Sequence, residues 1–181
     1  MTENQTFDPP YALSPDALLA HLTDLGIVYE RHHHDPIFTA AEGGHLKALI
    51  PGIHVKNLFV RDKKERMALI VVPDEISLDL KTLAPAIGLD RLSFGSPERL
   101  WANLGVRPGS VCPYAAMNDQ KGLVKVVVHQ AIAEGPRIVA HPMINTQSIV
   151  VSSADLLRFL QNCGHTPQII DLNAYARCDA A

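Results

Sequence analysis

The feature that constrains the fold of this chain most is a hairpin with one wholly apolar strand. Residues 67–72 read Met-Ala-Leu-Ile-Val-Val, a continuous apolar run that is typical of a strand buried on both faces. Residues 57–61 form a second strand pattern before it, and the charged residues 62–65 between the two predict a turn. We therefore expect a sheet that contains a buried strand within a hairpin.

Helix and strand patterns are mixed along the rest of the chain. Capping signals and helical spacing predict helices over residues 15–25, about 40–49, 79–87, 97–104 and 153–163. Further strands are predicted over residues 27–31, 123–132, 137–140, 148–151 and 168–171, and residues 105–118 are predicted to form a structured loop. Hairpins together with crossovers predict an α/β fold of the mixed-sheet, α+β kind.

The length of 181 residues favours one domain. We predict an N-terminal arm over residues 1–13, the domain over residues 14–172 and a C-terminal tail over residues 173–181. The three cysteines are an odd number without C-x-x-C spacing, which favours a reducing compartment and no structural zinc. The polar N-terminus lacks the pattern of a signal peptide, so we expect a cytoplasmic protein with no membrane partner.

The charge balance limits the class of nucleic-acid partner. The net charge is −3, from 16 basic and 19 acidic residues, whereas proteins that coat DNA carry a strong basic excess. This balance excludes a general DNA-binding protein. A few local lysines could still hold one end of an RNA strand.

Several familiar catalytic motifs are missing from the sequence. It contains no G-x-x-x-x-G-K-[ST], G-x-G-x-x-G, H-E-x-x-H or G-x-S-x-G pattern, which argues against the common nucleotide hydrolases, dinucleotide enzymes, zinc peptidases and α/β-hydrolases. His32-His33-His34 could form a metal patch, with His32 and His34 on one face of a strand. No nearby cysteine completes a ligand set, so we interpret this segment as a solvated strand end.

Three short segments could carry chemistry. Lys56-Asn57, placed directly before the predicted strand, offers a point charge for a phosphate and an amide with both donor and acceptor. His141, which follows a predicted strand, could contact a substrate or act as a base. Taken alone, each segment is better explained by a structural or solvated role.

The third segment is the loop of residues 109–113, Gly-Ser-Val-Cys-Pro. Glycine permits unusual backbone angles and proline fixes the end of the loop, so several N–H groups could point inward and hold a carbonyl oxygen. Cys112 could be a nucleophile, but no motif places a base beside it. We therefore favour a packing thiol for Cys112.

Four segments taken in order resemble the YbaK/prolyl-tRNA editing-domain family, the single-domain relatives of the insertion domain of bacterial prolyl-tRNA synthetases. They are residues 35–42, 52–62, 109–114 with 118–119, and 141–145, and the resemblance runs from about residue 27 to residue 172. The Lys-Asn pair and the His-Pro-x-x-Asn segment are most similar to the subgroup that clears alanine from mischarged tRNA(Pro).

The resemblance implies helices around a mixed, partly barrel-like sheet and a free-standing deacylase acting on Ala-tRNA(Pro), without metal or cofactor. Its implied partners are the acceptor end of tRNA(Pro) and, transiently, prolyl-tRNA synthetase. By the same resemblance, Lys56 would hold the phosphate or ribose of the terminal adenosine, and Asn57 would position substrate or water. His141 would line the amino-acid pocket, with Asn145 among the substrate-binding residues.

The resemblance assigns the reaction centre to the loop of residues 109–113. Backbone N–H groups of Gly109, Ser110, Val111 and Cys112 would bind the ester carbonyl, and Pro113 would contact the substrate. A ribose hydroxyl of the tRNA itself would help to activate water, as is thought for the family.

Two departures from the family pattern leave the amino-acid preference open. Cys112 stands where threonine or serine is expected, and Ser148 stands where threonine is common. The alternatives are a deacylase of the same fold for Cys- or Ser-charged tRNA, and a non-catalytic module that binds tRNA or a synthetase.

Overall fold

The computed structural model describes residues 13–37 and 44–177 of the chain. The helices are α1 (Pro15–Asp24), α2 (Gly44–Leu49), α3 (Leu80–Ala86), α4 (Pro97–Leu104), α5 (Gln130–Glu134) and α6 (Ser153–Asn162). The strands are β1 (Glu30–His33), β2 (Ile53–Arg61), β3 (Met67–Pro73), β4 (Ser93–Phe94), β5 (Val124–His129), β6 (Arg137–Ala140), β7 (Gln147–Ser152) and β8 (Gln168–Ile170). Residues Pro113–Asn118 and Leu172–Tyr175 form 3-10 helices.

All of these strands belong to one mixed sheet, which confirms the predicted fold class. The strand order is β1-β7-β6-β2-β3-β5-β8, with the short strand β4 paired to β2 outside this path. The β2–β3 pair is the antiparallel hairpin that the sequence predicts, and β3–β5, β5–β8 and β2–β6 are parallel. Parallel neighbours need crossover connections, which here contain helices or long loops.

The central strand β3 is buried on both faces, as its apolar run predicts. Leu69 and Val71 belong to one core cluster, formed with residues of α1, α4 and α6. Ala68, Ile70 and Val72 alternate with them and belong to a second cluster, which includes residues of α3. Side chains of successive strand residues point to opposite faces, so an all-apolar strand requires this double cover.

A third, small cluster matters for the site because it places α2 on the sheet. Leu46 of α2 and Ile50 just after it contact Val139 of β6, Val150 of β7 and Ile37. This short helix therefore lies over the part of the sheet formed by β6 and β7.

The helix ends follow the predicted capping signals. The Ser14 and Ser96 side chains accept hydrogen bonds from the N–H groups of Ala17 and Arg99, and a proline follows each serine at the first helical position. Gly105 ends α4 with a left-handed φ of 61°.

The structure corrects several predicted boundaries. The strand predicted over residues 123–132 is wrong in its last three residues, because β5 ends at His129 and residues 130–134 form α5. The His129 ring accepts a hydrogen bond from the Ala131 N–H and thereby starts that helix. The predicted strand over residues 27–31 begins only at Glu30 and continues to His33. The loop predicted over residues 105–118 contains the 3-10 helix Pro113–Asn118.

Some predictions fall outside the described residues. Residues 1–12 of the predicted arm, residues 40–43 at the predicted start of the second helix, and residues 178–181 of the predicted tail are among them. Within the tail, Arg177 donates its N–H to the carbonyl of Ser77 at 2.7 Å and Asp79 donates to the carbonyl of Tyr175 at 2.8 Å. No helix in residues 13–37 and 44–177 is long and apolar enough to cross a membrane.

Candidate active site

A small cavity lies where β2 and β6 diverge. The two strands pair only at Ile53 with Ile138 and at His54 with Val139, and β2 then continues alongside β3 and β4. Leu46 of α2 and residues Gly109 and Val111 of the loop also line the cavity. The cavity has a volume of about 200 Å³, below the roughly 300–1,000 Å³ of pockets for larger ligands. The cavity is therefore of a size that suits a small group.

Lys56 and Asn57 lie within β2 and line this cavity. The prediction that they precede the strand is wrong, because β2 begins at Ile53. Burial lowers the pKa of the Lys56 ammonium, while the carboxylates of Asp74 and Glu75 oppose that shift. Lys56 is thus a half-buried cation at the wall of a small cavity.

The loop of residues 109–113 is joined to β2 by one hydrogen bond. The amide Nδ2 of Asn57 donates to the carbonyl of Val111 at 3.1 Å. Gly109 has a φ of 90°, a backbone angle that favours glycine, as the sequence predicts. Gly109 and Val111 both line the cavity, and their N–H groups donate to no other described residue.

The remaining residues of this loop are directed elsewhere. The N–H of Ser110 donates to the carbonyl of Arg107 at 3.0 Å, so that N–H is used inside the loop. Cys112 and Pro113 are buried and do not line the cavity, and Pro113 starts a 3-10 helix. Burial raises the pKa of the Cys112 thiol to about 12. A thiol with so high a pKa is a poor nucleophile, which agrees with the prediction that Cys112 packs in the core.

His141 lines the cavity with a defined tautomer. Its Nδ1 lies 2.8 Å from the carbonyl of Gln147, and because a carbonyl only accepts, Nδ1 carries the proton. Burial lowers the pKa of His141, the bond to Gln147 opposes that shift, and the nearby His34 and His54 rings add to it. Asn145 does not line the cavity, and its carbonyl accepts a hydrogen bond from the N–H of Ile37.

Further residues of the cavity were not assigned a site role from the sequence. Among them are Ile37, Leu46, His54, Asp74 and Val139, whereas Ser148, which the sequence analysis connects with amino-acid preference, does line the cavity. The Asp74 carboxylate accepts a hydrogen bond from Lys47 of α2 at 2.6 Å, and its N–H donates to the carbonyl of His54 at 2.9 Å. His54 lies within a segment that carries the family resemblance, but a histidine beside a predicted strand gives no signal of a pocket.

The histidines of residues 32–34 contact neighbouring protein groups. His34 donates from Nδ1 to the carbonyl of Asp35 at 2.8 Å, and its Nε2 lies 3.0 Å from the Ser148 hydroxyl. The His32 side chain lies near Glu30, at 3.7 Å. In the part of the chain that the structure describes, no group of three or more His, Cys, Asp or Glu residues could hold a metal ion.

Comparisons with known proteins match this chain to one family. Residues 34–159 match the model of the aminoacyl-tRNA editing domain. A prolyl-tRNA editing protein, ProX, of Acetoanaerobium sticklandii is 36% identical over 157 residues, which cover 86% of this chain and 96% of that protein. A prolyl-tRNA synthetase associated domain-containing protein of Danio rerio is 34% identical over 77% of each chain.

A solved structure supports the same fold. A crystal structure described as a proposed trans-editing enzyme for prolyl-tRNA synthetase superposes with a TM-score of 0.67. It covers 89% of this chain and 98% of its own length at 19% identity, which shows the fold alone. The resemblance predicted from the sequence is therefore confirmed, and the chain belongs to the aminoacyl-tRNA editing domain family.

Proposed function

We propose that this chain is a trans-editing deacylase that hydrolyses the ester bond of mischarged tRNA(Pro), with Ala-tRNA(Pro) as its preferred substrate. Membership in the editing-domain family makes the chain an enzyme of aminoacyl-tRNA editing, as the sequence predicts. The observation that carries the finer proposal is the size of the cavity, about 200 Å³, beside a half-buried lysine. Such a cavity suits a small amino acid attached to a larger anionic chain.

The need for a second site follows from the weakness of size discrimination. A synthetase pocket that accepts a given amino acid rejects a smaller one by only about 1–3 kcal/mol for each missing methylene. A separate site that admits alanine and excludes the larger proline ring supplies the remaining selectivity. The apolar side chains of Ile37, Leu46 and Val139 line the cavity and would form walls of such a site.

The proposed reaction is the addition of water to the ester carbonyl carbon. The water oxygen forms the new bond, the bond to the ribose oxygen breaks, and that oxygen takes up a proton, which yields a free amino acid and an uncharged tRNA. The N–H groups of Gly109 and Val111 would stabilise the negative charge on the carbonyl oxygen. The neighbouring ribose hydroxyl would help to activate the water, as the family resemblance implies.

Lys56 would hold the ribose or phosphate end of the terminal adenosine, and His141 would form part of the wall around the amino-acid side chain. Asn57 would keep the loop in place through the carbonyl of Val111. We also propose a cytoplasmic location for the protein. Binding of the acceptor end of tRNA(Pro) and a transient contact with prolyl-tRNA synthetase belong to the same proposal.

The test is a comparison of esters on one tRNA. Purified protein is incubated with Ala-, Cys-, Ser- and Pro-tRNA(Pro), and the released amino acid is counted against a protein-free reaction. We expect the fastest release from Ala-tRNA(Pro) and none above background from Pro-tRNA(Pro). Faster release of cysteine or serine would instead support the alternative substrates, and binding of tRNA without release would support a non-catalytic module.

A further inference from the structure

An arginine stacked on a tryptophan lies directly before the loop of residues 109–113. The guanidinium carbon of Arg107 is 4.3 Å from the centre of the Trp101 ring, a distance at which a cation and an aromatic face attract each other. Trp101 belongs to α4 and is half-buried, whereas Arg107 is exposed. The stack therefore holds an exposed positive charge against a helix that packs on the main core cluster.

A tight turn connects Arg107 to the cavity. The carbonyl of Arg107 accepts a hydrogen bond from the N–H of Ser110 at 3.0 Å, and Pro108 and Gly109 occupy the two positions between them. A proline followed by a glycine with a φ of 90° is typical of a type II turn. Because Gly109 lines the cavity, only this turn separates Arg107 from the groups that would bind the ester.

The hydrogen-bond donors of Arg107 are unused within the described chain. Several other arginines contact carboxylates, among them Arg61, Arg66, Arg99, Arg137 and Arg158. In residues 13–37 and 44–177, the Arg107 guanidinium contacts the indole but no carboxylate and no hydrogen-bond acceptor. A guanidinium carries its N–H donors in a planar fork that suits an oxyanion, and stacking on a ring restricts the orientation of that plane.

The proposed substrate carries oxyanions in the right part of its structure. A cavity of about 200 Å³ suits the aminoacyl group, so the nucleotides that precede the terminal adenosine must lie outside it. These nucleotides are joined by phosphodiester groups. With a net charge of −3 the protein has no general attraction for RNA, so local cations must supply it. Arginine and phosphate pair through charge-assisted hydrogen bonds.

We propose that Arg107, stacked on Trp101, binds a phosphodiester group of the single-stranded 3′ end of the tRNA, upstream of the terminal adenosine. The inference rests on the proposed deacylase function and adds an RNA contact outside the cavity. Arg107 is a binding residue in this scheme, and Trp101 is a positioning residue that restricts its guanidinium.

The experiment measures kcat/KM for Ala-tRNA(Pro) at salt concentrations from about 50 to about 200 mM. Each phosphate contact on a single strand contributes about 0.7 to the negative slope of log kcat/KM against log salt. Arg107→Ala should make this slope shallower by about 0.7 and lower kcat/KM at low salt by about two- to fivefold, as for one exposed ion pair. Arg107→Lys keeps a point charge and should keep the wild-type slope.

The matched control is Arg158→Ala, which removes an exposed arginine of α6 that does not line the cavity. Its slope and its kcat/KM should equal those of the wild type. Each variant is melted beside the wild type, so that a loss of fold is recognised before rates are compared.

A second substrate separates an RNA contact from a role in holding the turn. The ester 3′-alanyl-adenosine carries no phosphate, so Arg107→Ala should lower the ratio of the Ala-tRNA(Pro) rate to the alanyl-adenosine rate by about two- to fivefold. Equal losses on both substrates would show that Arg107 acts only on the loop and would overturn the inference.

The salt dependence alone can also overturn it. An Arg107→Ala variant with the wild-type slope would exclude the phosphate contact while leaving the deacylase function standing. Absence of alanine release from Ala-tRNA(Pro) by the wild-type protein would refute the proposed function and this inference together.

Discussion

Replacing Cys112 by alanine tests whether the thiol of the active-site loop takes part in the reaction. The structure places this side chain in the main core cluster, wholly buried, and burial raises its pKa to about 12. At pH 7 the thiolate then forms in about one molecule in 10⁵, and only the thiolate is a competent nucleophile. We therefore expect Cys112→Ala to keep its rate within about threefold of wild type, whereas loss of a true nucleophile costs about 10⁴-fold or more.

The same substitution should reduce stability, because it removes one buried heavy atom from a packed region. The lost transfer free energy and the small cavity together amount to about 1–2 kcal/mol of unfolding free energy. Urea unfolding measures this change, and single-turnover deacylation of Ala-tRNA(Pro) measures the rate. Cys163→Ala is the matched control, since this second thiol is half-buried at the end of α6 and lies outside the cavity.

Two results would contradict a packing role for the Cys112 thiol. A rate loss above about 100-fold in a Cys112→Ala protein that still unfolds cooperatively would refute it. So would an alanyl thioester found on the peptide that contains Cys112, after acid quenching and mass spectrometry of the wild-type reaction.

The other residues of the site and of the turn after β2 give four further predictions. Lys56→Ala should lower the rate at sub-saturating tRNA by about 10- to 150-fold, because a charged contact to the substrate is lost; the exposed Lys63→Ala serves as control, and an unchanged rate for Lys56→Ala would exclude the anchoring role. Gly109→Val should cost about 10²–10³ in rate, since valine disfavours the φ of 90° that aims the loop N–H groups; activity within a fewfold of wild type would show that the loop does not bind the ester. His141→Ala should slow hydrolysis of the alanyl ester by up to about 10²-fold through looser positioning, and the 2-aminobutyryl ester by less; equal losses on both would contradict a wall role. For Asp62, burial tends to raise the pKa, but bonds from the Arg66 side chain and neighbouring N–H groups lower it from 3.8 to about 2. Because the folded-state pKa is the lower one, this stabilisation is present above about pH 4 and lost as the pH falls towards 2; melting curves of wild type and Asp62→Asn over this range should converge, and parallel curves would refute it.

The sequence predicts well those elements whose pattern depends on local chemistry. The β2–β3 hairpin follows from an uninterrupted apolar run and a charged turn, and α4 follows from Ser96, Pro97 and Gly105. At these places the residues that favour the element are also the ones that the fold requires, so local and tertiary preferences agree.

Elements that depend on distant partners are harder to predict. The valine-rich run of β5 continues in pattern to Ile132, but the chain turns into α5 because the His129 ring caps residue 131. β2 begins at Ile53 and includes His54 and Lys56. Polar side chains are uncommon in buried strands, so these two residues give no strand signal in the sequence. They line a cavity instead of the core.

The sequence predicts part of the candidate site. Lys56, Asn57, Gly109, Val111 and His141 do line one cavity, which the family resemblance brings together across the chain. The sequence could not show which loop residues face inward. That depends on the bond from Ser110 to Arg107 and on the 3-10 helix after Cys112, which turn those two residues away from the cavity.

The central claim is that the ester is bound and hydrolysed in the cavity between β2 and β6. The most direct test uses an alanyl-adenosine analogue with a hydrolysis-resistant amide link at the 3′ position, titrated into ¹⁵N-labelled protein. Binding in this cavity predicts saturable shifts of the Gly109, Val111 and His141 backbone amides, and loss of those shifts in Lys56→Ala. Saturable shifts confined to residues away from the cavity, in a protein that hydrolyses Ala-tRNA(Pro), would contradict the assignment of the site.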